Sequence, residues 1–220
     1  MAAPRPSSYS ASVNTNAAEN VMIILDGSYS MKQTLPGNSP KESRMQAAKR
    51  VILQVMQTVP RTTRIGLRVY GQSQIPILEC QSTKLLVPLG LNNRAEIASQ
   101  LAQIQPVGQT PISLAIRVSA EHDFVGLAGK KTIILVSDGM ETCDADPCQV
   151  SVQLVQNGVD VKINTVGLGI SGDIEAQKQL KCVALGTNGQ FYNADTSATL
   201  ARGLQQSFKS ETRVEAQILH

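Results

Sequence analysis

The sequence predicts an α/β fold, doubly wound, with a mostly parallel central sheet and helices on both faces. Short runs at residues 21–25 (V-M-I-I-L) and 132–137 (T-I-I-L-V-S) are largely apolar and polar-bounded, as strands buried on both faces are. Segments of helical apolar spacing alternate with these and further strand-like runs, the order that builds a parallel sheet. Each of the two runs ends in an acid, Asp26 or Asp138. At the centre of an open sheet these acids would flank the crevice at the carboxyl ends of the strands, where such folds place ligands.

The remaining elements follow in chain order. Ser39, Pro40 and Glu42 read as the cap, first helical position and capping box of a first helix. Its inward face is Met45, Ala48, Ile52, Val55, Met56 and Val59, its Lys and Arg residues are expected in solvent, and Pro60 stops it. Residues 64–70 alternate, with Ile65, Leu67 and Val69 on one side, and predict a strand half-open to solvent near a sheet edge. After a loop over 71–82, residues 84–89 predict an edge strand. Asn93 and Glu96 open a second helix with Ile97, Leu101 and Ile104 inward. In G-Q-T-P at 108–111, Thr110 is pushed away from helix by the proline that follows, and Pro111 can begin a helix running to His122. Asp146 and Pro147 start another helix, closed at Gly158. Residues 161–166 form a strand, 173–185 a helix, 190–193 a short strand, and Leu200, Leu204 and Phe208 face inward from a last helix.

A chain of 220 residues, 42% hydrophobic, suits one domain. Residues 1–19 read as a flexible lead-in without an apolar signal core, 20–208 as the domain and 209–220 as a tail or linker. A formal charge of +3 without Trp gives neither the electrostatics nor the stacking surface for nucleic acid. No apolar run approaches the ~20 residues that cross a bilayer, so direct membrane insertion is not expected.

Asp26, Ser28 and Ser30 alternate at the end of the first strand and offer only oxygen, which suits a hard divalent cation. With Thr110 in its Gly-x-Thr-Pro turn and Asp138-Gly139 after the second buried strand, the pattern resembles the von Willebrand factor type A domain with its metal-ion-dependent adhesion site. All five signature positions are filled, and the resemblance spans about residues 21–208. It implies a six-stranded sheet of order 3-2-1-4-5-6 with one antiparallel edge strand. It also implies a metal site of Asp26, Ser28, Ser30, Thr110 and Asp138. There the hydroxyls of Ser28, Ser30 and Thr110 would bind Mg²⁺ (or Mn²⁺ or Ca²⁺) directly, while Asp26 and Asp138 act through waters and hydrogen bonds. The open position would take an Asp or Glu carboxylate of a protein partner. Against this stand plainer readings: Asp and Ser are ordinary turn residues, and Thr110 can cap the Pro111 helix. Tyr29 stands where the family usually has a small residue, so it either meets a partner or crowds the loop. Glu141 reads as a solvated loop acid, or else as part of the rim.

Gly167, Gly169 and Gly172, with Asp195 further on, fit a dinucleotide fingerprint. Asp173 and Glu175 oppose a pyrophosphate at the helix start, so a tight turn without a nucleotide is expected. Cys80, Cys143, Cys148 and Cys182 are compatible with two disulfides and an oxidising compartment. Cys143 with Cys148 is the most local pairing, connectivity is open, and free thiols in a cytosolic protein are the alternative. The T-C-D-A-D-P-C run resembles a bacterial extracytoplasmic subgroup, implying a secreted, periplasmic or surface location, with the cytoplasm as alternative. Neither His122 nor His220 has zinc-ligand spacing to the cysteines. There is no nucleophile elbow or Ser/His/acid set, Ser137 reads as a strand end, and no enzyme activity is expected. The expected function is a divalent-cation-dependent adhesion or assembly module. The alternatives are a metal-free scaffold of a larger envelope protein and an accessory subunit of an ATPase or chelatase machine.

Overall fold

The computed structural model describes residues 18–38 and 40–209. Twelve main elements run β1 (Glu19–Asp26), α1 (Arg44–Met56), β2 (Arg64–Tyr70), β3 (Thr83–Gly90), α2 (Arg94–Gln103), α3 (Ile112–Val118), β4 (Lys130–Ser137), α4 (Pro147–Gln156), β5 (Lys162–Leu168), α5 (Ile174–Leu185), β6 (Phe191–Ala194) and α6 (Ser197–Phe208). The sheet order is β3-β2-β1-β4-β5-β6, parallel throughout except for β3, which runs antiparallel to β2 at the edge.

Strand period sorts the core into two layers. Val21, Ile23, Leu25, Ile65, Leu67, Ile134 and Val136 pack with α1, α2 and α6. Met22, Ile24, Tyr70, Ile133 and Leu135 pack with α3, α4 and α5. The central strands β1 and β4 are therefore covered on both sides, and their carboxyl ends open onto one edge of the sheet.

Several expectations need correction. Helix α1 begins at Arg44, and its capping box is Ser43 with Gln46, not Ser39 with Glu42. Ser39 itself lies outside the described residues, as do most of the lead-in (1–17) and the tail (210–220). Glu42 instead accepts from Arg50 and from Ser197 at the start of α6. Strand β1 already begins at Glu19, inside the stretch read as lead-in. Strand β2 is not half-open: all but its first residue is buried. The turn after α3 covers its second face, and there Asp123 grips the Arg68 guanidinium with two bonds of 2.7 Å. Two cationic residues of α1 are not simply solvated. Lys49 donates to the carbonyls of Ala102 and Ile104, and Arg44 turns into the site described below.

The cysteines pair Cys80 with Cys143 and Cys148 with Cys182, and none is left free. Their Cα–Cα separations, 5.4 Å and 5.3 Å, suit a disulfide. The local Cys143–Cys148 pairing and the free-thiol alternative both fall. Cys143 lies in the loop before α4, level with the turn that carries Cys80, whereas Cys148 is already in α4 and faces α5.

Candidate metal centre

Strand register assembles the site. Asp26 pairs with Tyr70 across β1–β2, while Leu25 pairs with Val136 across β1–β4. Asp26, Tyr70 and Ser137 thus meet at one level of the sheet. The Tyr70 hydroxyl donates to Ser137 Oγ at 3.0 Å, and Ser137 Oγ donates to Asp26 Oδ2 at 2.7 Å. The other Asp26 oxygen, Oδ1, accepts the Ser28 amide at 2.7 Å. That bond folds the chain back as it leaves β1, and a short 3-10 turn at Tyr29–Lys32 follows.

The turn carries Ser30 to the tip of β4. Ser28 Oγ and Ser30 Oγ lie 3.0 Å apart, and Ser30 Oγ donates to Asp138 Oδ1 at 2.7 Å. Asp138 Oδ2 accepts from Arg44 Nη1 at 2.8 Å. The structure therefore gathers Asp26, Ser28, Ser30 and Asp138 into one bonded cluster. Asp26 is fully buried and Asp138 is 5% exposed. Burial pushes the Asp138 carboxyl up to about 6, helped by the Asp26 charge and opposed by Ser30 and Arg44. Burial also holds the Tyr70 phenol well above its usual range, with the Asp26 charge adding to it.

Thr110 arrives on a third loop. Gly108 forms an isolated bridge to Ser28, its carbonyl accepts the Tyr29 amide at 2.9 Å, and its own amide donates to the Gly71 carbonyl at 2.9 Å. Only glycine fits this crossing, since a Cβ on Gly108 would stand 2.5 Å from the Ser73 carbonyl oxygen. The Thr110 amide donates to Thr142 Oγ1 at 2.9 Å, tying this loop to the one after Asp138. Helix α3 takes Pro111 as its N-cap, and the Ser113 amide goes to Glu141 at 2.7 Å. Glu141 is thus half-buried and bonded to backbone amides rather than a solvated acid. It receives the Ser113 and Cys143 amides, and burial raises its pKa.

The donor set fits a small hard cation. All four carboxylate oxygens accept a hydrogen bond, leaving neutral hydroxyls as the inner oxygens. The 3.0 Å between the serine oxygens matches two adjacent ligands of an octahedral ion, about 3.0 Å apart for bonds of ~2.1 Å. Tyr29 does not crowd the cage. It is 65% exposed, and Lys32 Nζ lies 4.2 Å from its ring centroid.

Arg44, Tyr70 and Ser137 escaped the sequence reading as site residues. For Tyr70 and Ser137 the link to Asp26 is strand register, which no local pattern carries. For Arg44 there was no signal either, because its neighbours are distant in the chain. The glycine turn resembling a dinucleotide fingerprint serves Arg44 instead, whose Nη2 donates to the Gly169 carbonyl at 3.0 Å.

The von Willebrand factor type A domain profile matches residues 20–207. The uncharacterized protein YwmD of Bacillus subtilis (strain 168) is 27% identical over 187 residues, 82% of this chain and 81% of that protein. In fold, the chain is similar to an aerotolerance-related membrane protein from Bacteroides fragilis NCTC 9343. The TM-score is 0.66 at 19% identity, over 86% of this chain and 98% of that one. Proximal thread matrix protein 1 of the mussel byssus, solved with a zinc-occupied MIDAS motif, gives a TM-score of 0.62 at 18% identity, over 87% and 45%. A profile match across nearly every described element, on a sheet wound in this order, means that the chain belongs to the von Willebrand factor type A domain family of protein-interaction modules.

Proposed function

We propose that the domain binds a protein partner through a divalent cation, held by Ser28, Ser30 and Thr110 and backed by Asp26 and Asp138. The observation that carries this is the cage itself: Ser30 and Asp138, 108 positions apart in the chain, close on one another beside a second buried carboxylate. When bound, Mg²⁺ or a similar ion supplies an electron-poor centre that a carboxylate can complete. The residues of the chain shape the cage. Asp26 fixes the Ser28 loop, Asp138 orients the Ser30 hydroxyl, and the Gly108 crossing ties the loop that carries Thr110 to Ser28. No step here makes or breaks a covalent bond; the role is binding, not turnover.

Exposed apolar side chains lie on the segments that border the cage: Tyr29 beside the serines, Met140 just past Asp138, and Ile77 on the turn anchored by Cys80. They favour a protein partner that presents an Asp or Glu among apolar residues. The disulfides favour an extracytoplasmic setting, where such bonds persist. Among the described residues no helix is long and apolar enough to cross a membrane.

A metal-free scaffold is the second reading, and Arg44 favours it by already supplying Asp138 with a positive charge. Melting separates the two. Mg²⁺ or Mn²⁺ at a hundredfold excess over its dissociation constant should stabilise the domain by about 2.7 kcal/mol, and Ser28→Ala with Ser30→Ala should abolish that gain. Identical melting in cation and in EDTA would select the scaffold. Capture of partners by the cation-loaded domain, with and without EDTA, then tests the carboxylate role.

A further inference from the structure

Arg44 is an unusual first residue for a helix. Ser43 already caps α1, and a cation at this end opposes the helix dipole. The side chain is nonetheless drawn inward to 12% exposure, bonded to Asp138 and to the Gly169 carbonyl. The turn after β5 is moulded to it: Gly169 adopts φ +70°, and a Cβ there would lie 2.9 Å from Arg44 Nε. That Nε is buried without a hydrogen-bond partner among the described residues. A helix-start penalty, a buried guanidinium and an unmet donor are all tolerated, and the compensating contact is Asp138.

We propose that Arg44 is a built-in counter-cation of the site, one that steadies the cage in its ion-free state and lowers its affinity for divalent ions. The inference rests on the cation-site reading above. Arg44 cancels one of the two carboxylate charges. It also occupies Asp138 Oδ2 while Ser30 occupies Oδ1, so an incoming ion meets no free carboxylate oxygen on Asp138. An ion beside the serines shares the cage with a fixed positive charge. Between a divalent ion and a unit charge several ångströms apart, even water-like screening leaves a penalty of roughly tenfold in affinity.

The test compares wild type, Arg44→Gln and Arg44→Lys in two measurements: calorimetric titration with Mg²⁺ and Mn²⁺, and melting in EDTA. Arg44→Gln is expected to bind Mn²⁺ roughly tenfold more tightly and yet to melt lower in EDTA, because Asp138 has lost its partner. Arg44→Lys keeps the charge and should stay near wild type in affinity. A merely structural arginine would move both readouts together, towards weaker binding and lower melting. Should the glutamine variant fail to fold, Arg44→Met keeps the aliphatic stem without the charge and is held to the same outcomes. Wild type that binds cation, with a folded neutral variant that binds no more tightly, overturns this inference alone. If neither wild type nor any Arg44 variant binds a divalent ion, the cation-site reading falls and takes the inference with it.

Discussion

Asp26 shows what one buried carboxylate demands of its neighbours. It is fully buried, and a charge there persists only when hydrogen bonds replace its lost water. The Ser28 amide serves one oxygen and the Ser137 hydroxyl the other. Ser137 can point its single proton at Asp26 because Tyr70 donates to it from the opposite side. Tyr70→Phe removes that donation and leaves a buried hydroxyl oxygen short of a partner, so the variant should lose about 1 kcal/mol of stability. A urea midpoint equal to wild type would show that Tyr70 does not matter to the chain of bonds. The acids and serines of the cage were visible in the sequence because they sit at fixed offsets from an apolar run. Tyr70 and Ser137 were not, because a hydrogen bond across strands depends on register, and register belongs to pairs of strands.

At the scale of elements, the strands and most helices were legible, since period and caps are local properties. Helix α1 shows the limit. Its approach holds two capping boxes in tandem, S-P-K-E at 39–42 and S-R-M-Q at 43–46. Tertiary contact decides between them: Glu42 is claimed by Arg50 and Ser197, leaving Ser43 to cap through the Gln46 amide. Ser43→Ala should therefore cost about 1 kcal/mol, read from the melting midpoint; no loss would return the cap to the earlier serine. The disulfides were illegible for a related reason, since pairing follows the spatial packing of elements. Cys80–Cys143 pins the turn after β2 to the loop after β4, closing a separation of 63 residues. Chain entropy puts such a closure at about 4 kcal/mol. Removing it as Cys80→Ser with Cys143→Ser should lower stability by up to that amount, measured as unfolding free energy in urea. A loss near zero would mean that the two segments stay together without the bond.

For the whole molecule, the sheet order makes distant segments converge, and charge makes that convergence depend on pH. Glu42 is one such tie, linking the approach to α1 with α6. The Arg50 hydrogen bond holds its carboxyl below the usual glutamate range, with Ser197 and Asn38 helping against burial. A lowered folded-state pKa means that the ionised group favours the folded chain. Its contribution is thus fully present above the unfolded value, about 4.5, and is lost as pH falls through the lowered folded value. Asp138 and Glu141 act with the opposite sign, because burial raises them and favours their protonated forms. Glu42→Gln isolates the first effect. The variant should be less stable than wild type at pH 7, and the gap should close only as pH falls through the lowered folded value, below which the wild-type carboxyl is neutral too. Stability curves that stay parallel from pH 7 to below that value would show that the Glu42 charge contributes nothing, and that its hydrogen bonds alone join the two helices.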